Sequence, residues 1–526
     1  MSSIGGTYGL SGSGMDIDSI VKSLMTRQQA KADALLQNKT VLEWQKSAYN
    51  TVYDDINNFR TSVFNYKLQG TLSPNKVSSS NTSVATVTAN SDAADVSHSL
   101  VVAQLASGVN LTSAINVTTG LNKNTIADQF MVGGVAPTGL YKFTIANGAS
   151  SAEITIDPAK SINELVSQIN SAGINVKASY DITLDRFFMS TTNTGSAAGI
   201  SIVKNEGDDS WGPDFFVDKL KLPTTVADGG IIGQDAEFKL DGVVLSQASN
   251  TFSISDVTYN LTGVTADAIF TDATDVAPAE ITEGQATNIS ITNDTDKAVA
   301  SIQSLVDSYN KILAEVNGKV NEERYKDFPP LTDAQKSVMK DTDITAWETK
   351  AKSGMLHNDQ TLESLVNTMR NAFSNPVTGI TGIYNSGASI GITTGNYTEG
   401  GKLYLNTDKL KTALQANPDV LNQLFGASGT DSQSQGIAGR LYDGIKTTMD
   451  QLAQIAGTTG TAQYDTNSSY AKRLTSYNLQ ISNESGRFDT IQAAYYKKFN
   501  AMEVALKQLN DQSSWLSSML SSSTGG

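Results

Sequence analysis

Apolar side chains recur every seven residues near both ends of the chain. The N-terminal repeat consists of Leu35, Leu42, Tyr49, Ile56 and Val63. Its companion row consists of Ile17, Leu24, Val52, Phe59 and Tyr66. The C-terminal repeat consists of Leu474, Ile481, Phe488, Tyr495, Met502, Leu509 and Leu516. Because such a repeat keeps one apolar stripe facing a partner helix, it predicts two coiled-coil helices, packed on each other, on copies of themselves or on both.

The first predicted helix is long, and its apolar stripe has a polar centre. It starts at a cap formed by Ser13 or Asp16 and runs for about fifty residues, or about 75 Å. Lys31, Asn38 and Gln45 occupy heptad positions where apolar residues are expected. Polar residues in a seam lower stability but specify register and partner. Two hypotheses therefore stay open: an ordinary long helix, or a helix that stays loose until it meets other subunits.

The middle of the chain has the pattern of a β-rich region. Residues 77–105 are rich in Ser, Thr and Val and alternate apolar with polar positions, which predicts β-strands. Further strands are predicted at residues 141–146, 152–156, 175–180 and 187–191. A short helix with a Ser161 cap lies among them. Residues 236–265 match 77–105 in strand character and the two flank 116–227, which predicts a mostly antiparallel α+β region with one domain inserted into another.

Helical periodicity returns after residue 294. Amphipathic helices are predicted at residues 294–316, 354–373, 408–425 and 441–455. A polar segment containing Pro329 and Pro330 follows the first of them, and Pro418 breaks the third. The predicted fold is therefore multidomain α+β, with long terminal coiled-coil helices forming a stalk, a helical domain and nested β-rich head domains.

Composition narrows the possible functions. The chain has 526 residues, which is too long for one core. Its net charge of −15 disfavours binding to nucleic acid or anionic membranes, and no apolar run is long enough to span a bilayer. The absence of cysteine excludes disulfides and thiolate metal sites. The Gly/Ser-rich leader lacks the regions of a cleaved signal peptide, so composition alone favours a cytoplasmic protein.

The sequence offers no constellation of catalytic residues. His98 and His357 lie far apart in unlike segments, so a histidine-based triad or metal cluster is poorly supplied. The acidic stretch at residues 206–209 lacks the ligand spacing of a calcium loop and indicates an exposed turn. The Gly-Gly pairs that begin at Gly133, Gly229 and Gly400 indicate turns, not phosphate loops. We therefore expect no enzyme activity, cofactor or metal.

Several motifs, in order along the chain, resemble one family. They include SGMDIDSIVKSLM at residues 13–25, LEWQKSAY at 42–49, the strand pair followed by SN and GVT within 233–265, GMLHNDQTL at 354–362, and GGKLYLNTDKLKTALQANPDVLNQLF at 400–425. They resemble the flagellar filament capping protein family (FliD, the second hook-associated protein). Residues 116–227 match nothing specific, apart from an IN-like motif at 161–181, and the proline common in the family's first helix is missing.

The resemblance implies an architecture and a role. It implies terminal leg helices at 1–41 and 482–526 that are disordered in isolation, and a helical stalk domain at 42–75 and 290–481. It also implies a β-rich head domain at 76–115 and 228–289, with an inserted distal α+β head domain at 116–227. The role would be a structural cap at the distal end of the bacterial flagellar filament that promotes folding and insertion of exported flagellin subunits.

The resemblance also implies partners and a location. The chain would form a homo-oligomeric ring of five or six copies and would contact flagellin, the hook–filament junction proteins and, before secretion, an export chaperone. No nucleic acid and no membrane insertion are expected. The location would be extracellular, at the tip of the flagellum, after export without a cleaved signal peptide.

The oligomer or filament contacts are expected on the apolar seam near the two ends. The predicted contact residues are Ile17, Val21, Leu24, Met502, Leu509, Leu516 and Met519. They could instead close an intramolecular coiled coil that only stabilises the monomer. An alternative function is a surface adhesin whose β-rich head, at residues 116–227, binds host glycan or mucin and promotes cell adhesion.

Overall fold

The protein, analysed as a computed structural model, is described over residues 16–118, 124–130, 139–207, 215–227, 229–274, 277–458 and 465–523. The leader before Asp16, the pair at Gly133 and the acidic residues 208 and 209 lie outside these ranges. The chain divides into two compact units. One combines the chain up to Leu72 with the chain from Thr295 onward, and the other is Ser73–Asp294.

The helices belong mainly to the first unit. In chain order they are α1 (Ile17–Asn65), α2 (Gln69–Leu72), α3 (Ile126–Gln129), α4 (Ile162–Ser171), α5 (Phe215–Asp218), α6 (Thr295–Asn321), α7 (Asp333–Lys336), α8 (Asp341–Lys352), α9 (Gln360–Ser374), α10 (Thr407–Ala416), α11 (Val420–Phe425), α12 (Ile437–Ala456) and α13 (Ser469–Ser523). Short 3-10 turns occur at Thr224–Val226, Gly387–Ile390 and Tyr397–Glu399.

The strands belong mainly to the second unit. In chain order they are β1 (Asn75–Ser79), β2 (Ala85–Ala89), β3 (Ser97–Gln104), β4 (Asn110–Thr112), β5 (Tyr141–Asn147), β6 (Ser150–Ile156), β7 (Val176–Asp181), β8 (Arg186–Thr191), β9 (Gly199–Gly207), β10 (Ile231–Ile232), β11 (Ala236–Leu240), β12 (Val243–Gln247), β13 (Thr251–Ile254), β14 (Val257–Leu261), β15 (Ile269–Thr271), β16 (Glu280–Thr282), β17 (Thr287–Asn293), β18 (Ile392–Thr394) and β19 (Leu403–Leu405).

The second unit holds two buried cores, one nested in the other along the chain. A five-stranded sheet of order β1-β17-β3-β11-β12 and a three-stranded sheet of order β13-β14-β2 enclose the first core. The chain between β3 and β11 builds the second, from a four-stranded sheet of order β10-β9-β5-β6 and a three-stranded sheet of order β4-β8-β7. Phe143, Phe215 and Phe216 pack together in this nested core, with ring centroids 5.0–6.4 Å apart.

The strand predictions are confirmed, as is the mostly antiparallel pairing. The strand pairings run antiparallel throughout the described ranges, as between β5 and β9 or between β7 and β8. Ser161 caps α4, because its side chain accepts a hydrogen bond from the Glu164 amide. Strands and caps were predictable because their signals are local: alternation over a few residues, or one side chain beside the first helical turn.

The helical unit has its core where the N-terminal heptads are apolar in both rows. The second half of α1 buries Tyr49, Val52, Ile56, Phe59 and Val63 against α6 and α12. The α6 face that periodicity predicts is also buried, at Val299, Ile302, Val306, Tyr309, Leu313 and Val316. The period therefore identified the core-facing side of both helices.

Two predictions for the chain after α6 differ from the structure. The predicted helix at 354–373 starts only at Gln360, with Asp359 as its cap. Gly354 has a φ of +62°, and a Cβ there would lie 2.6 Å from the Glu323 carbonyl oxygen, so this position turns the chain. The polar segment before it contains α8, a helix that the pattern did not predict because it buries only Ala351.

Candidate functional site

The two long terminal helices, α1 and α13, pair antiparallel within the helical unit. Tyr49 packs edge-to-face on Tyr470, Lys31 contacts Glu484, and Tyr496 contacts Asp18. As the residue number falls along α1 it rises along α13, which defines the direction of pairing. The sequence predicted that these helices pack on each other or on other copies, and the structure shows that they pack on each other within one chain.

An aromatic and acidic cluster holds the pair where it leaves the core. The ring centroids of Tyr49 and Tyr470 lie 5.7 Å apart. The Tyr49 hydroxyl donates to Asp359 Oδ2, while Asp359 Oδ1 accepts from the Leu362 amide, 3.0 Å away, and so caps α9. Burial, and then the hydrogen bond to Asp359, raise the pKa of Tyr49, which keeps its hydroxyl a proton donor.

A capping carboxylate fixes the first turn of α13. Asp465 accepts hydrogen bonds from the Ser468 hydroxyl and amide, at 2.6 and 3.0 Å, and its Oδ2 lies 3.1 Å from Lys46 Nζ on α1. Burial alone would raise the pKa of Asp465, but these donors outweigh it and lower the pKa to about 2. The start of α13 is therefore tied to α1 by a carboxylate that stays ionised.

Farther along the pair, one buried carboxylate spans the two helices. Glu484 has a side chain that is only 9% exposed, and its Oε2 lies 2.8 Å from Lys31 Nζ. Its Oε1 has no hydrogen-bond partner among the described residues. The Lys31 side chain is 54% exposed, so this ion pair is buried on the α13 side and open to water on the α1 side.

The seam of α1 differs from the predicted one over its first half. Lys31 and Asn38 are exposed and not central to the seam, and Leu24 is 45% exposed. Val21, which was predicted on the seam, is buried, and Met25 is buried in place of Leu24. A straight α-helix drifts by about 20° per heptad relative to a seven-residue repeat, so the companion row rotates away from the partner and its neighbouring row replaces it.

The predicted contact residues lie at the far end of the helix pair. Ile17 is half-buried, Val21 is buried, and Leu24, Met502, Leu509, Leu516 and Met519 are 40–59% exposed. The first three are on the first two turns of α1. The other four are on the part of α13 that extends past Tyr496, whose hydroxyl donates to Asp18 near the start of α1.

A groove that sequence reasoning missed runs beside the helix pair. It has a volume of about 940 Å³ and lies between α1, α13 and residues 330–336. The segment that contains α7 and α8 forms one wall: Gln37 Nε2 donates to the Pro330 carbonyl at 2.7 Å, and Lys352 Nζ lies 5.1 Å from the centre of the Trp44 ring. The sequence signal that could have revealed this wall was the charge pattern of α8, which has acidic residues in its first turn and lysines in its last turn.

Both histidines have structural surroundings. His98, on the central strand β3 of the five-stranded sheet, has its Nδ1 2.6 Å from Asp241 Oδ2, and His357 is in the turn before α9. Throughout the described ranges, three or more His, Asp or Glu side chains are never grouped as metal ligands. Of the helices in those ranges, none has the length and apolarity needed to cross a membrane.

Comparison with known proteins gives consistent matches along the chain. The family profile of the flagellar hook-associated protein 2 C-terminus matches residues 233–511, and that of its N-terminus matches residues 13–108. The chain is 28% identical over 541 residues to flagellar hook-associated protein 2 of Halalkalibacterium halodurans, covering 95% of this chain and 97% of that one. It is 25% identical to the protein of that name from Escherichia coli K12, covering 96% of both.

A solved structure with the same fold is also known. The crystal structure of the flagellar cap protein FliD D1-D2-D3 domains from Escherichia coli superposes with a TM-score of 0.53 at 23% sequence identity. It covers 82% of this chain and 99% of that chain. This likeness confirms the predicted α+β fold class. The names of these matched proteins give the adhesin alternative no support.

Proposed function

Because this chain belongs to the flagellar hook-associated protein 2 family, we propose that it promotes the folding and insertion of exported flagellin subunits at the tip of the flagellar filament. It is a flagellar filament cap protein, a structural role that requires no catalytic residue. Caps of this family associate with copies of themselves and with flagellin. The observation that carries the proposal is the family match, since the C-terminal profile alone spans more than half of the chain.

The finer features of the cap are part of the same proposal. Five or six copies form the ring, which is extracellular at the flagellar tip. The chain meets an export chaperone before secretion and the hook–filament junction proteins afterwards. A ring of identical subunits needs a repeated contact between them, and the exposed apolar positions on α13 supply a candidate surface.

The proposed division of labour follows four parts of the chain. Residues 1–41 and 482–526 act as legs, 42–75 and 290–481 as the helical stalk domain, 76–115 and 228–289 as the head, and 116–227 as the distal head. Supporting this division, the buried cluster of the helical unit extends along the chain from Tyr49 to Ala456. The legs lie outside that cluster; Val21 and Met25 are buried there, and polar contacts such as Lys31–Glu484 also join the two helices. Such contacts can break and re-form while subunits are added beneath the cap.

Light scattering tests whether the terminal helices assemble the cap. The full chain is compared with one trimmed to residues 42–481, at the same micromolar concentration. We expect the full chain to give five or six times its monomer mass of 55.8 kDa, and the trimmed chain to be monomeric. Monomers from both chains would contradict assembly through the terminal helices.

A single charge in the exposed stripe tests the same surface in the full chain. The test variant is Leu509→Asp, at a side chain that is 59% exposed. The matched control is Ser514→Asp, which adds the same charge on another side of α13. We expect Leu509→Asp to abolish capping, measured as filament growth in cells that lack their own cap protein. Ser514→Asp should retain capping. Circular dichroism should show that the head stays folded in both variants, and its unfolding in Leu509→Asp would argue against this division of labour.

A further inference from the structure

The C-terminal part of α13 continues past the start of α1. Tyr496 lies opposite Asp18 in the antiparallel pair, and α1 begins at Ile17, while α13 runs on to Ser523. We call residues 497–520 the overhang. At about 1.5 Å per residue, the overhang is about 36 Å long.

The overhang has an apolar stripe that is exposed in the described structure. Met502, Leu509 and Leu516 are 40%, 59% and 54% exposed. They are spaced by seven residues and therefore share one face of the helix. Leu506 lies between them on that face and is half-buried. A helix with such a stripe is suited to a helical or grooved partner.

The groove beside the helix pair has the length and chemistry to receive such a stripe. Its lining on α1 extends from Asp18 to Trp44, or about 39 Å, close to the length of the overhang. Its larger apolar lining residues include Met25, Leu36, Trp44, Leu331 and Phe488. Leu36 is 39% exposed, so apolar surface remains open on the groove wall.

From this match we propose that the overhang of one copy docks into the groove of a second copy. The charges agree, because the overhang carries three lysines and two acids, whereas the groove is lined by four acids and two lysines. This inference rests on the proposed cap function, since it names a surface through which copies of the cap associate.

A second copy fits the groove better than the overhang of the same chain. The overhang continues α13 as one helix, so it could reach its own groove only if α13 broke and folded back. The copies each carry a net charge of −15, so a locally basic overhang also reduces their repulsion.

Cross-linking between two differently substituted copies tests the proposal, because the chain has no native cysteine. One preparation carries Ala30→Cys, near the middle of the groove, and the other carries Leu509→Cys, near the middle of the overhang. Central positions come close whichever way the overhang runs. A flexible thiol cross-linker is added to the mixture. Docking raises the effective thiol concentration to about 1 mM against about 10 µM for free copies, so we expect about a hundredfold faster heterodimer formation.

The matched control is Asp511→Cys, which lies about 200° around the helix from Leu509. Circular dichroism first establishes that all three variants are folded. Cross-linking of Ala30→Cys to Leu509→Cys, with much less to Asp511→Cys, supports docking in a second copy. Equal cross-linking to both, or no cross-linking while light scattering shows rings, overturns the docking and leaves the cap function standing. Monomers at every concentration overturn both.

One further arm distinguishes docking within a copy from docking between copies. The doubly substituted Ala30→Cys/Leu509→Cys chain is cross-linked at high dilution. Monomers that are cross-linked internally at a rate independent of concentration would overturn the second copy as the occupant. A rate that falls in proportion to dilution supports it.

Discussion

The ion pair between Lys31 and Glu484 should affect the stability of the α1–α13 helix pair. Removing Lys31 should destabilise it, whereas removing the charge of Glu484 should cost little or stabilise it. The Glu484 carboxylate is nine-tenths buried and has one oxygen on Lys31 and one without a partner among the described residues. Lys31→Ala leaves this buried charge uncompensated. Glu484→Leu removes the charge itself and puts apolar volume between the helices.

The expected magnitude follows from the exposure of the two side chains. Breaking a fully buried pair by removing one partner costs about 3–5 kcal/mol. The Lys31 side chain is 54% exposed, so water reaches that side of the pair. We therefore expect Lys31→Ala to cost about 2 kcal/mol, which is about a thirtyfold change in the local opening equilibrium. Glu484→Leu should cost less than about 1 kcal/mol or should stabilise the pair.

Hydrogen exchange measured by mass spectrometry reads this local opening directly. Peptides that cover residues 20–36 of α1 and 478–492 of α13 should lose about thirtyfold in protection in Lys31→Ala. The double variant Lys31→Ala/Glu484→Leu should behave like Glu484→Leu alone. The matched control is Arg27→Ala, which removes an exposed cation one turn away on the same helix.

Two results would refute this reasoning. Protection that is unchanged in Lys31→Ala would mean that the buried carboxylate needs no counter-charge. Equal losses of exchange protection in Lys31→Ala and Glu484→Leu would mean that the attraction between the two charges holds the helices together. The cost of leaving the Glu484 charge buried without a partner would then not explain the effect of Lys31→Ala.

Two further predictions concern the junction with the core. Tyr49→Phe removes a hydrogen bond to the Asp359 carboxylate and should lower the free energy of unfolding of the helical unit by about 2 kcal/mol. Urea unfolding measures this change, and an unchanged midpoint would contradict it. Asp465 has a folded-state pKa of about 2, below its ordinary 3.8, so its stabilising effect is complete above about pH 4 and is lost as the pH falls from about 4 to about 2. In thermal unfolding across that interval, Asp465→Asn should lack this part of the acid destabilisation, and an unaltered pH profile would count against the assignment.

The sequence was sufficient for the elements whose signals are local. Alternation over five to seven residues identified β5 and β6, Ser161 marked the start of α4, and the heptads identified the buried side of α1 around Ile56. For α1 the sequence left two caps open, Ser13 and Asp16, and Asp16 is the one that caps it. Each of these signals depends on neighbours within one or two turns, where backbone geometry fixes which side chains share a face. The helix α8 was missed because a helix with one buried side chain leaves almost no apolar period.

The sequence could not define the candidate site to the same degree. The seven-residue repeat showed that Tyr49 and Met502 lie on apolar stripes, but it assigned Leu24 and Lys31 to the seam of α1. The drift between 3.6 and 3.5 residues per turn places Met25 there instead. A small rotation, accumulated over several heptads, is not encoded in any single residue type.

What the sequence determined by itself was the elements with local signals, such as β5, β6 and α4, and, through motifs in order, the family. Only the tertiary structure decided that α1 pairs antiparallel with α13, that Glu484 is buried against Lys31, and that Pro330 helps to close a groove. Lys31 and Glu484 are 453 residues apart, so their contact depends on how the whole helical unit packs. A heptad repeat indicates that an apolar stripe packs against a partner, but the energy of burying the stripe is nearly the same for any apolar partner. Which helix becomes the partner is therefore decided by the tertiary packing.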